Sequence, residues 1–363
     1  MSPRSTAPFQ QKKPPLRMPA EWETHRATHL AFPANKNDWP GKFAPVRWAF
    51  VEFIRLLSRS ERILLAVNND RVDKDARRMC IDAGVDLQGL EFVETELDRG
   101  WMRDISPFWV LDRDGAVQAQ NFLFNGWAKY DNHLLDQQWP RTITKRLGVP
   151  GQEARYKDRH VVLEGGAVDT NGDGALLTTE ECLLDERCQT RNPGFTRQDY
   201  EAAFKAHLGI EKVLWLGKGI AGDDTHGHID DICRFVNPTT VVLCQEDNAK
   251  DENYHALKEN AERLQNVRLP HGQSLEVIPL PMPAPLYFKD LRLPASYANF
   301  YIANNCVLVP TFNDEADRKA LGILNELFPD RHVIGIHAVD LLWGFGTLHC
   351  LSHEEPAPTT VIP

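Results

Sequence analysis

Between Phe300 and Ile336 the chain shows the pattern that most limits how it can fold. Phe300-Tyr301-Ile302-Ala303 and Cys306-Val307-Leu308-Val309-Pro310 read as a hairpin turning at Asn304-Asn305. Asp314 to Phe328 reads as an amphipathic helix with Ala316, Ala320, Ile323, Leu324 and Leu327 inward, and His332 to Ile336 as a closing strand. The unit is two strands, a helix and a strand. It recurs in Cys233–Val236 and Thr240–Cys244 (a hairpin across Asn237-Pro238), the helix Tyr254–Leu264 and the strand Leu275–Leu280. Near the N-terminus the order is strand (Thr28–Phe32), helix opened by Pro45, strand (Ile63–Val67), helix (Val72–Ala83, stopped by Gly84) and strand (Leu90–Val93). Val213–Leu216 is a further strand. Identity between rounds is not visible, so the repeat is one of pattern. No linker divides it. Several such units around one cavity would bring their strand-end loops together. The expectation is a tail over 1–17 followed by a single α/β domain over 18–363.

Composition narrows the function. The chain has 363 residues and a net charge of -10, from 51 acids and 41 bases. That disfavours nucleic acid and anionic membranes and suits a small cationic ligand. Its seven cysteines, at 80, 182, 188, 233, 244, 306 and 350, include no CxxC pair, which fits thiols in a reducing compartment better than disulfides or a zinc knuckle. The polar, proline-rich N-terminus has no apolar signal core, and no run nears the ~18 apolar residues of a membrane span. A cytoplasmic location is expected.

The unusual residues sit in loops. Trp343-Gly344-Phe345-Gly346-Thr347-Leu348-His349-Cys350 puts a cysteine after a glycine turn, where a strand is expected to end. Alone it reads as an inert buried thiol, the commoner case; with a His and carboxylates folded onto it, it reads as a nucleophile. Trp101-Met102-Arg103-Asp104-Ile105-Ser106-Pro107 offers Asp104, which alone reads as a turn former. Asn121 to Trp127 is aromatic and loop-like. In Val161-Val162-Leu163-Glu164-Gly165-Gly166, Glu164 ends an apolar stretch and either faces solvent or serves a site. Gly222 to Asp231, GDDTHGHIDD, is too charged for a core segment. Two readings stay open for it. One is a zinc site, since His226-x-His228-x-Asp230-Asp231 partly resembles the HxHxDH signature of the metallo-β-lactamase fold, with Asp231 in place of its last His. The other is a general base, His228, with Asp230 on the same face of an extended segment. His349 would point away from Cys350 on a strand and is not expected to be its base.

Taken together, WMRDISP, LEGG, GDDTHGHIDD, Ala295 to Asn304 (ASYANFYIAN) and GFGTLHC resemble, in order and spacing, the agmatine deiminases of the guanidine-modifying (pentein) superfamily, whose close relatives are bacterial peptidylarginine deiminases. The resemblance runs from about Met18 to Pro356. It implies a five-fold pseudo-symmetric α/β propeller of ββαβ units around a central cavity. It implies Cys350 as nucleophile, His228 as general acid/base, Asp104 and Asp230 gripping a guanidinium, and Glu164 orienting His228. Trp101, Asn125, Trp127 and Gly346 would bind substrate. No metal or organic cofactor is implied, and a homo-oligomer is compatible with it.

The chemistry asks for these residue types. A guanidinium is a planar cation with a fork of N–H donors, matched by two carboxylates. A thiolate attacks its carbon, and bound cation and His228 are expected to lower the thiol's pKa. One departure stands out: where the family usually continues Ile/Val-Thr-Gln-Gln-Gln-Pro after the Cys, this chain has Leu351-Ser352-His353-Glu354-Glu355-Pro356. That bears on the substrate: agmatine first, then arginine, peptidyl-arginine or another small guanidine.

Overall fold

The computed structural model describes residues 16–359. Five sheets share one connectivity, an antiparallel pair followed by a parallel partner reached through helix. They are Phe108–Leu111, Val117–Asn121 and Gly151–Glu153; Asp169–Thr170, Ala175–Thr179 and Lys212–Leu216; Cys233–Asn237, Thr240–Gln245 and Glu276–Pro281; and Tyr301–Ile302, Cys306–Thr311 and His332–His337. The fifth joins the two ends of the chain. Ser352–Pro356 lies antiparallel to His25–Ala31, which runs parallel to Ile63–Val67, itself parallel to Leu90–Glu94. A parallel return needs a crossover, and each is helical: Phe43–Leu57, Trp139–Leu147, Arg197–Leu208, Asn253–Arg263 and Glu315–Leu327.

The sequence explains where these helices begin. Thr196 and Asp314 form capping boxes with Asp199 and Asp317, and Asn69 accepts from the Val72 N–H to start the extra helix Asp70–Asp82. The inner strands are buried along their length, as Ile63–Val67 is, because helices and neighbouring sheets cover both faces. The apolar core divides into one large cluster and a smaller one around Tyr200, Phe204 and Leu176.

Several expectations shift. Arg17 belongs to the fold, bridging to Leu111, while the rest of the expected tail up to residue 15 lies outside the described residues. Val161–Leu163 forms no extended strand; Val162 makes one bridge to Leu123. Cys350 does not end a strand. A short helix, Val339–Leu342, precedes it, and its own turn leads into Ser352–Pro356. Among the described residues no helix is long and apolar enough to cross a membrane.

Candidate active site

The connections that lead from one sheet to the next carry Asp104, Glu164, His228, Asp230 and Cys350. Trp101–Asp104 lies between Leu90–Glu94 and Phe108–Leu111, and Glu164–Gly166 precedes Asp169–Thr170. His228–Asp231 precedes Cys233–Asn237, Asn299 precedes Tyr301–Ile302, and Thr347–Cys350 precedes Ser352–Pro356. Each touches the next. Gly166 N–H donates to Asp104 Oδ1 at 2.9 Å. His228 Nδ1 faces the same oxygen at 3.9 Å and Asp230 Oδ1 at 4.0 Å. Asn299 Nδ2 donates to Asp231 Oδ1 at 2.9 Å and to Cys350 Sγ at 3.0 Å. The Cys350 carbonyl accepts from Arg103 N–H at 3.2 Å, which closes the ring.

Close approach explains the glycines. A Cβ on Gly166 would stand 2.5 Å from His228 Nδ1, and one on Gly346 would stand 2.8 Å from Trp101 and 3.2 Å from Cys350 Sγ. A cavity of about 150 Å³ opens beside them, lined by Trp101, Asp104, Trp127, Phe345, Gly346 and Cys350 together with the buried Asp38 and the half-buried Arg99, Tyr130 and Asp224. Trp127 and Phe345 hold left-handed backbone, at φ 56° and 68°, conformations that persist only where surroundings impose them. For Trp127 the tie is visible: its Nε1 donates to Asp104 Oδ2 at 2.9 Å. Asn125 stands behind this wall and does not line the cavity; its side chain accepts from the Ala128 N–H and shapes the turn that presents Trp127.

Burial and charge set the protonation states. His228 is buried, which works to lower its pKa, but Asp104, Cys182 and Asp230 outweigh that and hold it well above its usual range. Burial raises Asp104, offset in part by His228. Asp230 stays lowered despite burial, because His349 donates to it and His349, His228 and Arg234 are nearby charges. Cys350 is pushed well above the usual thiol range by burial and by Asp230, Asp231 and Asp104, with Asn299 acting the other way. Burial comes first and the three carboxylates next, and His228 is not among the groups that move the thiol here.

Glu164 is buried, with Oε1 on Arg191 Nε at 3.0 Å and Oε2 without a partner. His228 Nε2 is also unpartnered, and Glu164, Cys182 and His228 bring ligand atoms within 4.8 Å of one another. His226 turns elsewhere, to Asp185 at 3.4 Å and Glu181 at 3.9 Å. The zinc alternative needs His226 and His228 on one ion, and they point apart. His228 is itself followed by a turn, Ile229–Asp231, so Asp230 is no neighbour on an extended face.

Three kinds of residue escaped the sequence reading. Asn299 lies inside ASYANFYIAN, where an amide in an apolar run was the available signal. Asp223 organises the His228 loop, accepting from the Gly227 and His228 N–H groups at 2.7 and 3.0 Å. Asp38 left no signal, and Asp224, within the charged GDDTHGHIDD stretch, was given no role of its own; both line the cavity. The departure after the nucleophile points away from the cavity: Glu354 pairs with Arg103 at 2.8 Å and Glu355 with His29 at 3.1 Å.

The chain matches the Porphyromonas-type peptidyl-arginine deiminase family over residues 17–356. It is 32% identical over 360 residues to the agmatine deiminase of Stutzerimonas stutzeri, covering 94% of this chain and 95% of that one. To the agmatine deiminase of Pseudomonas fluorescens strain SBW25 it is 33% identical over 361 residues, covering 94% and 95%. The solved agmatine deiminase of Enterococcus faecalis superposes with a TM-score of 0.87 at 28% identity, covering 97% of this chain and 100% of that one. An agmatine deiminase of C. jejuni with substrate bound gives 0.84 at 26% identity, covering 98% and 99%. An amidinotransferase from Microseira wollei, 11% identical with a TM-score of 0.55, covering 96% and 99%, shares the mixed α/β fold.

Proposed function

The chain belongs to the Porphyromonas-type peptidyl-arginine deiminase family and, within it, to the agmatine deiminases, and on that footing we propose that it hydrolyses agmatine to N-carbamoylputrescine and ammonia. The enzyme class, hydrolysis of amidine C–N bonds, comes with the family; the substrate is argued from the pocket. Two carboxylate oxygens carry the argument. Asp230 Oδ1, 4.0 Å from His228 Nδ1, and Asp38 Oδ2, in the cavity wall, are both buried without a hydrogen-bond partner. Agmatine has a cation at each end, so it supplies donors to both. Four cations around the site that could receive an arginine carboxylate are engaged. Arg99 bonds Asp38 at 2.7 Å, Lys129 bonds Asp224 at 2.6 Å, Arg191 bonds Glu164, and Arg103 bonds Glu21 and Glu354. We also read the five like-connected sheets, with their ring of touching connections, as a single five-fold α/β propeller.

The route follows from the charges. At rest the thiol keeps its proton and His228 is an imidazolium. The entering guanidinium neutralises Asp104 and Asp230, lowers the thiol's pKa and lets its proton leave to solvent. Cys350 Sγ then bonds to the guanidinium carbon. His228 gives its Nδ1 proton to the departing nitrogen, and ammonia leaves a cationic S-alkylthiouronium on the enzyme. Neutral His228 next takes a proton from water as that oxygen bonds to the same carbon. The C–S bond breaks toward Cys350, the hydroxyl proton passes to ammonia, and the ureido product leaves. Glu164, with a free oxygen near His228, is read as its orienting group.

One plate of agmatine, arginine, a peptidyl-arginine ester and methylguanidine, scored for ureido product, tests the assignment. Agmatine should give the highest kcat/KM; a higher value for arginine or the peptide overturns it. Burial pushes the Asp38 carboxyl up to about 6 even with Arg99 beside it. KM for agmatine should therefore rise as pH falls through 6, and Asp38→Asn should raise it about tenfold at pH 8 with methylguanidine unaffected.

A further inference from the structure

His349 does not line the cavity, yet it is built into the site from behind. Its Nδ1 lies 2.7 Å from Asp230 Oδ2 and its Nε2 lies 2.8 Å from Glu21 Oε2. Both neighbours are carboxylates, so both ring nitrogens donate. That Glu21 oxygen also takes Arg234 Nη2 at 2.9 Å and Arg103 Nη2 at 3.2 Å, while Oε1 takes the Ile302 N–H at 2.7 Å. Asp169 holds Arg234 from the other side at 3.0 Å. Every member is buried.

We propose that His349, held by Glu21, is a positioning residue for the guanidine reaction: it occupies Asp230 Oδ2 so that Oδ1 is left facing the guanidinium. The need is physical. A fully buried carboxylate with an unsatisfied oxygen takes up a proton, and a neutral acid does not grip a cation. Asp230 nonetheless sits below the ordinary range, and His349 is the largest of the favourable influences on it. The other titratable groups acting on it are Asp104, His228, Asp231, Arg234 and Cys350, whose Sγ donates to the same Oδ2 at 3.5 Å. Around His349 stand Glu21, Asp169, the neutral His353 and Arg103, whose Nε donates to the His349 carbonyl at 3.3 Å. Among the named positively charged side chains, only His349 gives Asp230 a hydrogen bond. The sequence placed His349 away from Cys350 and out of the chemistry. Instead of pointing away along a strand, His349 lies in a turn, and its Nδ1 meets the same Asp230 oxygen as Cys350 Sγ, at 2.7 and 3.5 Å; the geometry gives it a task other than that of a base.

The inference rests on the guanidine reading, and the test separates the two. The wild type is first assayed on the guanidine panel. If it turns over none, that reading fails before any variant is compared and this inference falls with it. On the best substrate, kcat and KM are then followed from pH 5 to 10 for wild type, His349→Asn, Glu21→Gln and His353→Gln. With the Asp230 hydrogen bond lost or weakened, Asp230 protonates at higher pH. His349→Asn should raise KM about tenfold or more with a smaller fall in kcat, and move the acid limb of kcat/KM up by about one unit. Glu21→Gln should move it in the same direction by less. His353→Gln, buried nearby without a bond to Asp230, should leave the limb in place. A folded His349→Asn with an unmoved acid limb overturns the inference, as does an equal shift in His353→Gln. If His349→Asn fails to fold, the Glu21→Gln limb decides by the same rule.

Discussion

Cys350 meets two opposed demands. In the proposed reaction it has to be a thiolate to attack carbon, and it sits among three carboxylates, Asp230, Asp231 and Asp104. The side chain satisfies both only in sequence: protonated while the pocket is empty, charged once a guanidinium has cancelled its neighbours. Asn299 contributes a neutral donor to Sγ at 3.0 Å, which favours the thiolate, and the same amide nitrogen donates to Asp231 while leaving Asp104 and Asp230 to the cation. This changes which cysteine an alkylating reagent finds. Cys188 is exposed, whereas Cys350 is buried. In free enzyme at pH 7.5, iodoacetamide should label Cys188 first. Millimolar guanidinium, too small to fill the cavity, should speed labelling of Cys350 several-fold. Peptide mass spectrometry reads both sites. A Cys350 that labels faster than Cys188 without guanidinium would mean that the thiolate exists in the empty pocket.

At the scale of elements, the short turns between sheets set the geometry, and glycine makes them possible. A methyl on Gly166 would meet His228 Nδ1 at 2.5 Å and Asp104 Oδ1 at 3.0 Å; Asp104 is tied to Trp127 and to the Gly166 N–H, so the buried His228 ring has to give way. Gly166→Ala should therefore lower kcat about a hundredfold or more while moving the melting temperature by a few degrees only. Normal kcat in that variant would show that His228 has slack to move. These elements were unevenly legible. The rounds over 233–280 and 300–336 announced themselves, because their strands are long and β-branched and their helices amphipathic. The two sheets over 108–216 did not. Gly151–Glu153 and Asp169–Thr170 are too short for a period of two, and Val117–Asn121 carries two glutamines. Cys350, His228, Asp230, Asp104 and Glu164 stood out as reactive types in odd company. Glu21, Asp38 and His349 did not, since their meaning lies in partners far along the chain. Glu21 and His349 are 328 residues apart in sequence.

For the whole molecule, the same closure that pairs the first sheet strand with the last builds the site. Ser352–Pro356 locks onto His25–Ala31 with His353 opposite His29, so the Cys350 turn is anchored at the seam where the last unit meets the first. The Glu354 and Glu355 departure is spent on this seam, on Arg103 and His29. In the proposed function, selection is then left to the cavity wall and to the charge of the chain as a whole. The chain carries a net charge of -10 and its cavity is lined by Asp38 and Asp224, so a dication is drawn in more strongly than a monocation. Screening weakens that attraction as the Debye length shrinks from about 30 Å at 0.01 M to about 8 Å at 0.15 M salt. For agmatine, kcat/KM should fall several-fold over that range, with a slope against the square root of ionic strength about twice that of singly charged methylguanidine. The loss should appear in kcat/KM and leave kcat unchanged, since only approach and capture are screened. Equal slopes for the two substrates would mean that the distal carboxylates and the acidic surface do not take part in choosing between them.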